Sequence, residues 1–235
     1  MNSEKIIGHG AEAIIILEKD KVIKRRISKS YRLPQIDEQI RKLRTRAETK
    51  ILEKAGKIIS VPKVLKSNEK TKEIIMEFID GKKLSEELDN FPLEKQKEIC
   101  KEIGISISKL HDENIIHGDL TTSNIILVDD NSELICSQPK DNGSGEEKIQ
   151  CKKLGGIVSK FKLFFIDFGL GFHSQKLEDK AVDIHLIKQA LEAKHFQHFE
   201  ILTKEFRKGY SNSKNSEAVL KQLEKVEKRG RYKGD

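Results

Sequence analysis

His117-Gly118-Asp119-Leu120-Thr121-Thr122-Ser123-Asn124 decides how this chain is read. It places an aspartate and an asparagine in an Asp-x₄-Asn spacing between two strongly patterned segments. Upstream, Ile99, Ile103, Ile107 and Leu110 recur at helical steps and predict a long helix from Leu93 to His111. Pro92 stands near its first turn, where a missing N–H costs little. Downstream, Asn124–Val128 reads as a strand. The polar loop Gly118–Ser123 therefore presents Asp119, and Asn124 opens the strand. An aspartate in that position can accept or orient a hydroxyl proton, and the asparagine can reach a metal ion.

A second aspartate follows the apolar strand Leu163–Ile166, in Ile166-Asp167-Phe168-Gly169. Alone, Asp-Phe-Gly also fits a turn. After Asp-x₄-Asn it supplies the second metal ligand, because Mg²⁺ favours one or two carboxylates together with phosphate oxygens. Phosphoryl transfer from ATP needs a cover for the phosphates, a cation on them, metal ligands, and a carboxylate beside the acceptor. The last two lie in the second half of the chain.

The first two are found near the N-terminus. Glu4 to Arg26 reads as three short strands, the first ending in Gly8-His9-Gly10 and the third holding Val22-Ile23-Lys24. Glycines at Gly8 and Gly10 let backbone N–H groups approach phosphate oxygens, although the pair alone also fits a tight hairpin turn. Lys24 is the candidate cation for the phosphates. A helix from Gln35 to about Ala55 follows, with Ile40, Leu43, Ala47, Ile51 and Ala55 as its apolar stripe. Glu48 borders that stripe and is the preferred partner of Lys24, ahead of Glu38 and Glu53. Strands at Val64–Ser67 and Ile74–Ile79 complete the lobe. Glu77, in the last of them, joins Gly8, Gly10 and Lys24 in the nucleotide-contacting set. Asp80-Gly81 reads as the hinge.

The fold class is thus α+β. It is a bilobal chain with five strands and one helix in residues 1–80 and a reduced helical lobe in 81–228. Helical patterns occupy 180–194, 197–210 and 215–228. Residues 129–160 are polar and read as a flexible insertion. The basic tail, 229–235, reads as mobile.

Charge is unevenly placed. Residues 1–80 carry 19 Lys/Arg against 12 Asp/Glu, while 81–235 carry 26 of each, so the whole net charge of +7 sits in the first lobe. That excess fits either a polyanion partner such as RNA or a solvated lysine-rich surface. No run reaches membrane-span length and no signal peptide is evident, which predicts a cytoplasmic or nuclear protein. Cys100, Cys136 and Cys151 have neither metal-ligand nor disulfide-framework spacing.

Beyond the catalytic-loop stretch, several segments carry a resemblance. These are Gly8-x-Gly-Ala-Glu-Ala13, Tyr31-Arg32-x-Pro34-x-x-Asp37, Arg44-Thr45-Arg46-x-Glu48, Glu178-Asp179-Lys180-Ala181-Val182-Asp183 and the tail Arg229-Gly230-Arg231. Together they resemble the atypical serine/threonine kinase subunit of the KEOPS tRNA-modifying complex, over nearly the whole chain except 129–160. The resemblance implies a protein-kinase-like fold that binds ATP and Mg²⁺. It implies Asp119 as the catalytic aspartate, Lys24 on the phosphates and paired with Glu48, Asn124 and Asp167 on the metal, and Asp183 as an anchor for the catalytic loop. It further implies work beside a tRNA threonylcarbamoyl-transferase subunit and other KEOPS subunits, with tRNA reached through the complex. ATP hydrolysis would support threonylcarbamoyladenosine formation in tRNA.

Two features depart from ordinary protein kinases. Gly118 stands where many have an arginine, and only 14 positions (183 − 169) separate Gly169 from Asp183. That interval is too short for a regulated activation loop, so no phosphorylation switch is expected. The rival readings are a small-molecule phosphotransferase, which would need a larger helical lobe, a RIO-like kinase, and a pseudokinase scaffold without catalysis.

Overall fold

The computed structural model describes residues 5–129 and 161–231. The first lobe is an antiparallel sheet of β1 (Lys5–His9), β2 (Ala13–Glu18), β3 (Lys21–Arg26), β4 (Val64–Asn68) and β5 (Glu73–Glu77), in the order β1-β2-β3-β5-β4. One long helix, α1 (Pro34–Ala55), accompanies it, with Pro34 in the first turn. The fifth strand ends at Glu77 instead of Ile79, because the Phe78 N–H leaves the ladder to donate to the Asp20 carbonyl.

The apolar stripe expected on α1 is only half right. Ile51 and Ala55 are buried, but Leu43 is 52% exposed, and ahead of Ile51 the helix buries Asp37, Thr45 and Glu48 instead. Asp37 meets Arg41 and Arg32, and Glu48 meets Lys24 and Arg26, so charge complementarity decides the orientation of this stretch. Periodicity of apolar residues cannot register this.

Short segments then enter the second lobe: β6 (Lys82–Lys83) and α2 (Leu84–Glu87). The lobe is organised on α3 (Leu93–Asp112), whose Ile99, Ile103, Ile107 and Leu110 are fully buried. After β7 (Ile115–Ile116), β8 (Ile125–Asp129) pairs antiparallel with β9 (Phe161–Phe165), and β6 completes this three-stranded sheet. Asp129 is the register partner of Phe161, so the strands that follow Asn124 and precede Asp167 pair directly. Of the expected insertion, Asp129 belongs to β8 and residues 130–160 lie outside the described residues, Cys136 and Cys151 among them. Next, β10 (Phe172–His173) pairs with β7 and leads at once into α4 (Leu177–Lys194), with α5 (Phe199–Tyr210) and α6 (Ser216–Arg231) following. The last helix runs three residues into the segment read as a mobile tail, and residues 232–235 lie outside the described residues.

The contact between α3 and α5 depends on glycine. A Cβ on Gly104 of α3 would lie 2.1 Å from the Phe206 carbonyl oxygen, and one on Gly209 of α5 would lie 2.0 Å from that of Lys101. The two backbones therefore touch at a point where neither helix carries a side chain. No described helix is long and apolar enough to cross a membrane.

Candidate active site

Strand alternation puts Lys24 and Arg26 on the same, buried face of β3. Glu48 rises from α1 between them. Lys24 Nζ donates to Glu48 Oε1 at 2.7 Å, and Arg26 donates to Oε2 at 2.5 Å, so both oxygens of this fully buried carboxylate are paired with cations. Of the three glutamates weighed for Lys24, Glu48 is the one that reaches it. Glu38 pairs with Lys72 at the surface, and Glu53 is exposed. Lys24 also donates to Asp167 Oδ1 at 2.6 Å across the cleft between the lobes.

Two opposing effects act on Lys24. Burial disfavours its charge, but Glu48 and Asp167 outweigh it and hold its pKa above the ordinary lysine value. Asp167 shows the converse: burial disfavours its ionisation, and Lys24 outweighs that and holds its pKa below the carboxylate norm. Asp167 adopts a left-handed backbone (φ 61°), uncommon outside glycine but better tolerated by Asp than by most residues. Its Oδ1 also accepts the Gly169 N–H at 3.1 Å.

On the other wall, Asn124 closes a 3₁₀ turn, Thr122–Asn124, immediately before β8. Its amide nitrogen donates to both the backbone oxygen and Oδ2 of Asp119, each at 2.9 Å. The amide oxygen of Asn124 is thereby left for a cation. The loop is set from behind. Asp183, on α4, accepts the backbone N–H groups of His117 (2.7 Å) and Gly118 (2.9 Å) and lies 3.3 Å from His111 Nε2. His111 in turn meets the Tyr210 hydroxyl at 2.9 Å. His117 is buried against Phe168 and hydrogen-bonds the Ile166 carbonyl, which ties the Asp119 loop to the Asp167 segment. Burial pushes its pKa below the ordinary histidine value despite Asp183, Asp119 and Asp167 nearby, so it stays neutral.

Two adjoining cavities lie between these walls. One, of about 390 Å³, is largely apolar at Ile15, Val22 and Met76 and polar where Lys24, Asn124 and Asp167 border it; Gly8 and Glu77 also line it. The other, of about 560 Å³, lies under Gly8–Ala13 and is bordered by Lys24, Asp119 and Asp167. Gly8, Gly10, Lys24, Glu48, Glu77, Asp119, Asn124 and Asp167 thus line one cleft, Gly8 and Gly10 at its roof and Glu77 at its rim, while Asp183 stands behind the loop. Among the described residues no three His, Cys, Asp or Glu groups form a metal cluster. Asn124 and Asp167 suit a cation such as Mg²⁺ that draws its remaining ligands from phosphate oxygens and water.

Sequence reasoning assigned no role to Arg26, although its i+2 relation to Lys24 on a strand is a legible signal. It likewise assigned none to Arg44, one helical turn ahead of Glu48.

Comparison with known proteins gives the family and the fold. The RIO domain family matches residues 16–139. The KEOPS complex subunit Bud32 of Pyrococcus abyssi is 35% identical, covering 97% of this chain and 96% of that protein. A probable bifunctional tRNA threonylcarbamoyladenosine biosynthesis protein of Methanococcus vannielii is also 35% identical, but this chain spans only 36% of its length. Among solved structures, the Rio2 kinase–ADP/Mg²⁺–phosphoaspartate complex of Chaetomium thermophilum matches 99% of this chain and 71% of that one, with a TM-score of 0.53 at 16% identity. WaaP in complex with acyl carrier protein matches 97% of this chain and 89% of that one, with a TM-score of 0.55 at 10% identity. These two likenesses establish a kinase-like α+β fold. The sequence similarity, extending over almost the full length of both proteins, goes further: this chain belongs to the Bud32 family of KEOPS complex subunits.

Proposed function

We propose that this chain is an ATP- and Mg²⁺-dependent atypical serine/threonine kinase and ATPase that serves threonylcarbamoyladenosine formation in tRNA as a KEOPS subunit. The observation that carries the reading is Lys24 suspended between Glu48 and Asp167, facing Asp119 and Asn124 across one cleft. In this reading the apolar cavity takes the adenine, with Glu77 at its edge, and Gly8 and Gly10 cover the phosphates. Lys24 holds the α- and β-phosphates, and Glu48 fixes its position. Asn124 and Asp167 would hold Mg²⁺, which when bound neutralises charge on the transferring phosphoryl group. Asp119 orients the attacking hydroxyl of a serine, threonine or water and holds its proton at the carboxylate.

A tRNA threonylcarbamoyl-transferase subunit is the expected partner, since relatives that carry this domain in about a third of their length are named for the same tRNA modification. Other KEOPS subunits would complete the assembly, with tRNA reached through the complex in the cytosol or nucleus.

The test is phosphate release and self-labelling from ATP–Mg²⁺ by wild type and Asp119→Ala, with and without the transferase subunit. Turnover that needs Asp119 and rises with the partner supports the reading. A folded protein that binds the partner but turns over no ATP in any condition is a scaffold instead.

A further inference from the structure

Three of the sequence motifs meet at a residue given no part in the chemistry above. Glu12 lies in the turn that covers the second cavity. Its carboxylate accepts hydrogen bonds from Arg44 of α1 and from Arg32 just ahead of that helix, the latter at 3.4 Å. Arg26 stands 4.0 Å from Glu12 Oε2 while it holds Glu48 at 2.5 Å. The carboxyl of Glu12 sits below the usual carboxylate range, because Arg44 and Arg32 outweigh the effect of burial. It is therefore ionised wherever the protein is folded near neutrality.

Backbone bonds hold the β2 side of this turn, Gly10 N–H to the Ala13 carbonyl and Ile27 N–H to the Glu12 carbonyl, but the β1 side is loosely held. β1 is the edge strand of its sheet, its Ile6 is 61% exposed, and its pairing with β2 slips register between Ile6 and Gly8. By contrast, α1 is fixed in the core through Ile51, Leu52 and Ala55. Arg44 and Glu48 are one helical turn apart on α1, so the helix that positions Lys24 also grips the turn.

We propose that Glu12 is a positioning residue, a latch that holds the Gly8–Ala13 turn closed over the nucleotide phosphates by pairing with Arg44 and Arg32. The latch rests on the ATP reading above. It acts on the phosphate end of the ligand and leaves the adenosine end alone. An ion pair of this exposure is worth on the order of 1 kcal/mol, which is about a fivefold change in affinity.

The experiment measures binding of ATP–Mg²⁺ and of adenosine to wild type, Glu12→Gln, Arg44→Gln and the double variant, with thermal midpoints as the check on folding. Expected for Glu12→Gln are about fivefold weaker ATP binding, unchanged adenosine binding and, in turnover, a raised KM for ATP with kcat within twofold. The double variant should lose no more than Glu12→Gln alone, since Arg44 acts on the turn through Glu12. Amides of Gly10 and Ala13 should exchange faster in the nucleotide-free Glu12→Gln protein. ATP binding as tight as wild type, or equal losses for ATP and adenosine, would overturn the latch. Wild type that binds adenosine but gains nothing from the phosphates would overturn the ATP reading itself.

Discussion

Asp183 Oδ1 accepts the backbone N–H of Gly118 at 2.9 Å, and its other oxygen takes the N–H of His117 at 2.7 Å. One buried carboxylate on α4 thus orients two consecutive peptides directly before Asp119. Asp183→Asn keeps the volume but puts an NH₂ where one of these N–H groups needs an acceptor. Hydrogen bonds to charged groups are worth about 1.5–3 kcal/mol. The variant should therefore lower kcat on the order of 10- to 100-fold with little change in the KM for ATP. Steady-state turnover with circular dichroism as a folding check decides it; an unaltered kcat would mean that the loop keeps its shape unaided.

Gly118 is fixed by backbone conformation and space together. Its φ is +80°, and a Cβ there would lie 2.3 Å from the Leu170 carbonyl oxygen. Many ordinary protein kinases carry an arginine at this place; here even a methyl group collides. Gly118→Ala should destabilise the protein by about 1–3 kcal/mol, read from urea unfolding, and impair turnover by displacing Leu170 and its neighbour Gly169.

The glycine contact between α3 and α5 gives a prediction far from the cleft. Gly104→Ala or Gly209→Ala must separate two backbones that touch. Either should cost about 2–3 kcal/mol, despite alanine's better helix propensity. Thermal midpoints of the two single variants would show it, and a rise in midpoint would refute the close packing.

The Lys24 pair should give stability a defined pH window. Lys24 is raised above 10.5, so its contribution is fully present below that value and is lost as pH rises through the folded pKa. Asp167 is depressed below 3.8, so its contribution is present above that value and is lost as pH falls through the folded pKa. Lys24→Met should cost about 3 kcal/mol at neutral pH, and its gap to wild type should narrow at both extremes. Denaturant unfolding across the pH range tests this; a gap of constant size would assign Lys24 a packing role only. His117, held below 6.5 mainly by burial, adds a further arm. Its contribution is present above 6.5 and lost as pH falls through the lower folded value, so His117→Asn should flatten that part of the curve.

Legibility differed between the lobes. The stripe Ile99, Ile103, Ile107 and Leu110 was readable because the helix packs these apolar residues at the centre of the core. The stretch of α1 ahead of Ile51 was not, because Leu43 points to solvent while Asp37 and Glu48 are buried against cations. Periods of hydrophobicity detect the first kind of burial and are blind to the second. The short strands β6, β7 and β10, two residues each, carry no period at all.

Local order along the chain was sufficient to single out the candidate residues: Lys24 on a strand, Asp119 and Asn124 in a loop between helix and strand, Asp167 at the end of a strand. Residue type and spacing encode these positions because each depends on one element and its immediate neighbours. Tertiary structure alone decided what holds them. The Glu48 carboxylate shared by Lys24 and Arg26, the reach of Asp183 to two peptides some 65 positions earlier, and the grip of Arg44 on Glu12 all join distant segments. Such contacts arise from how whole elements pack, and a buried charge finds its partner only once that packing has removed water from both.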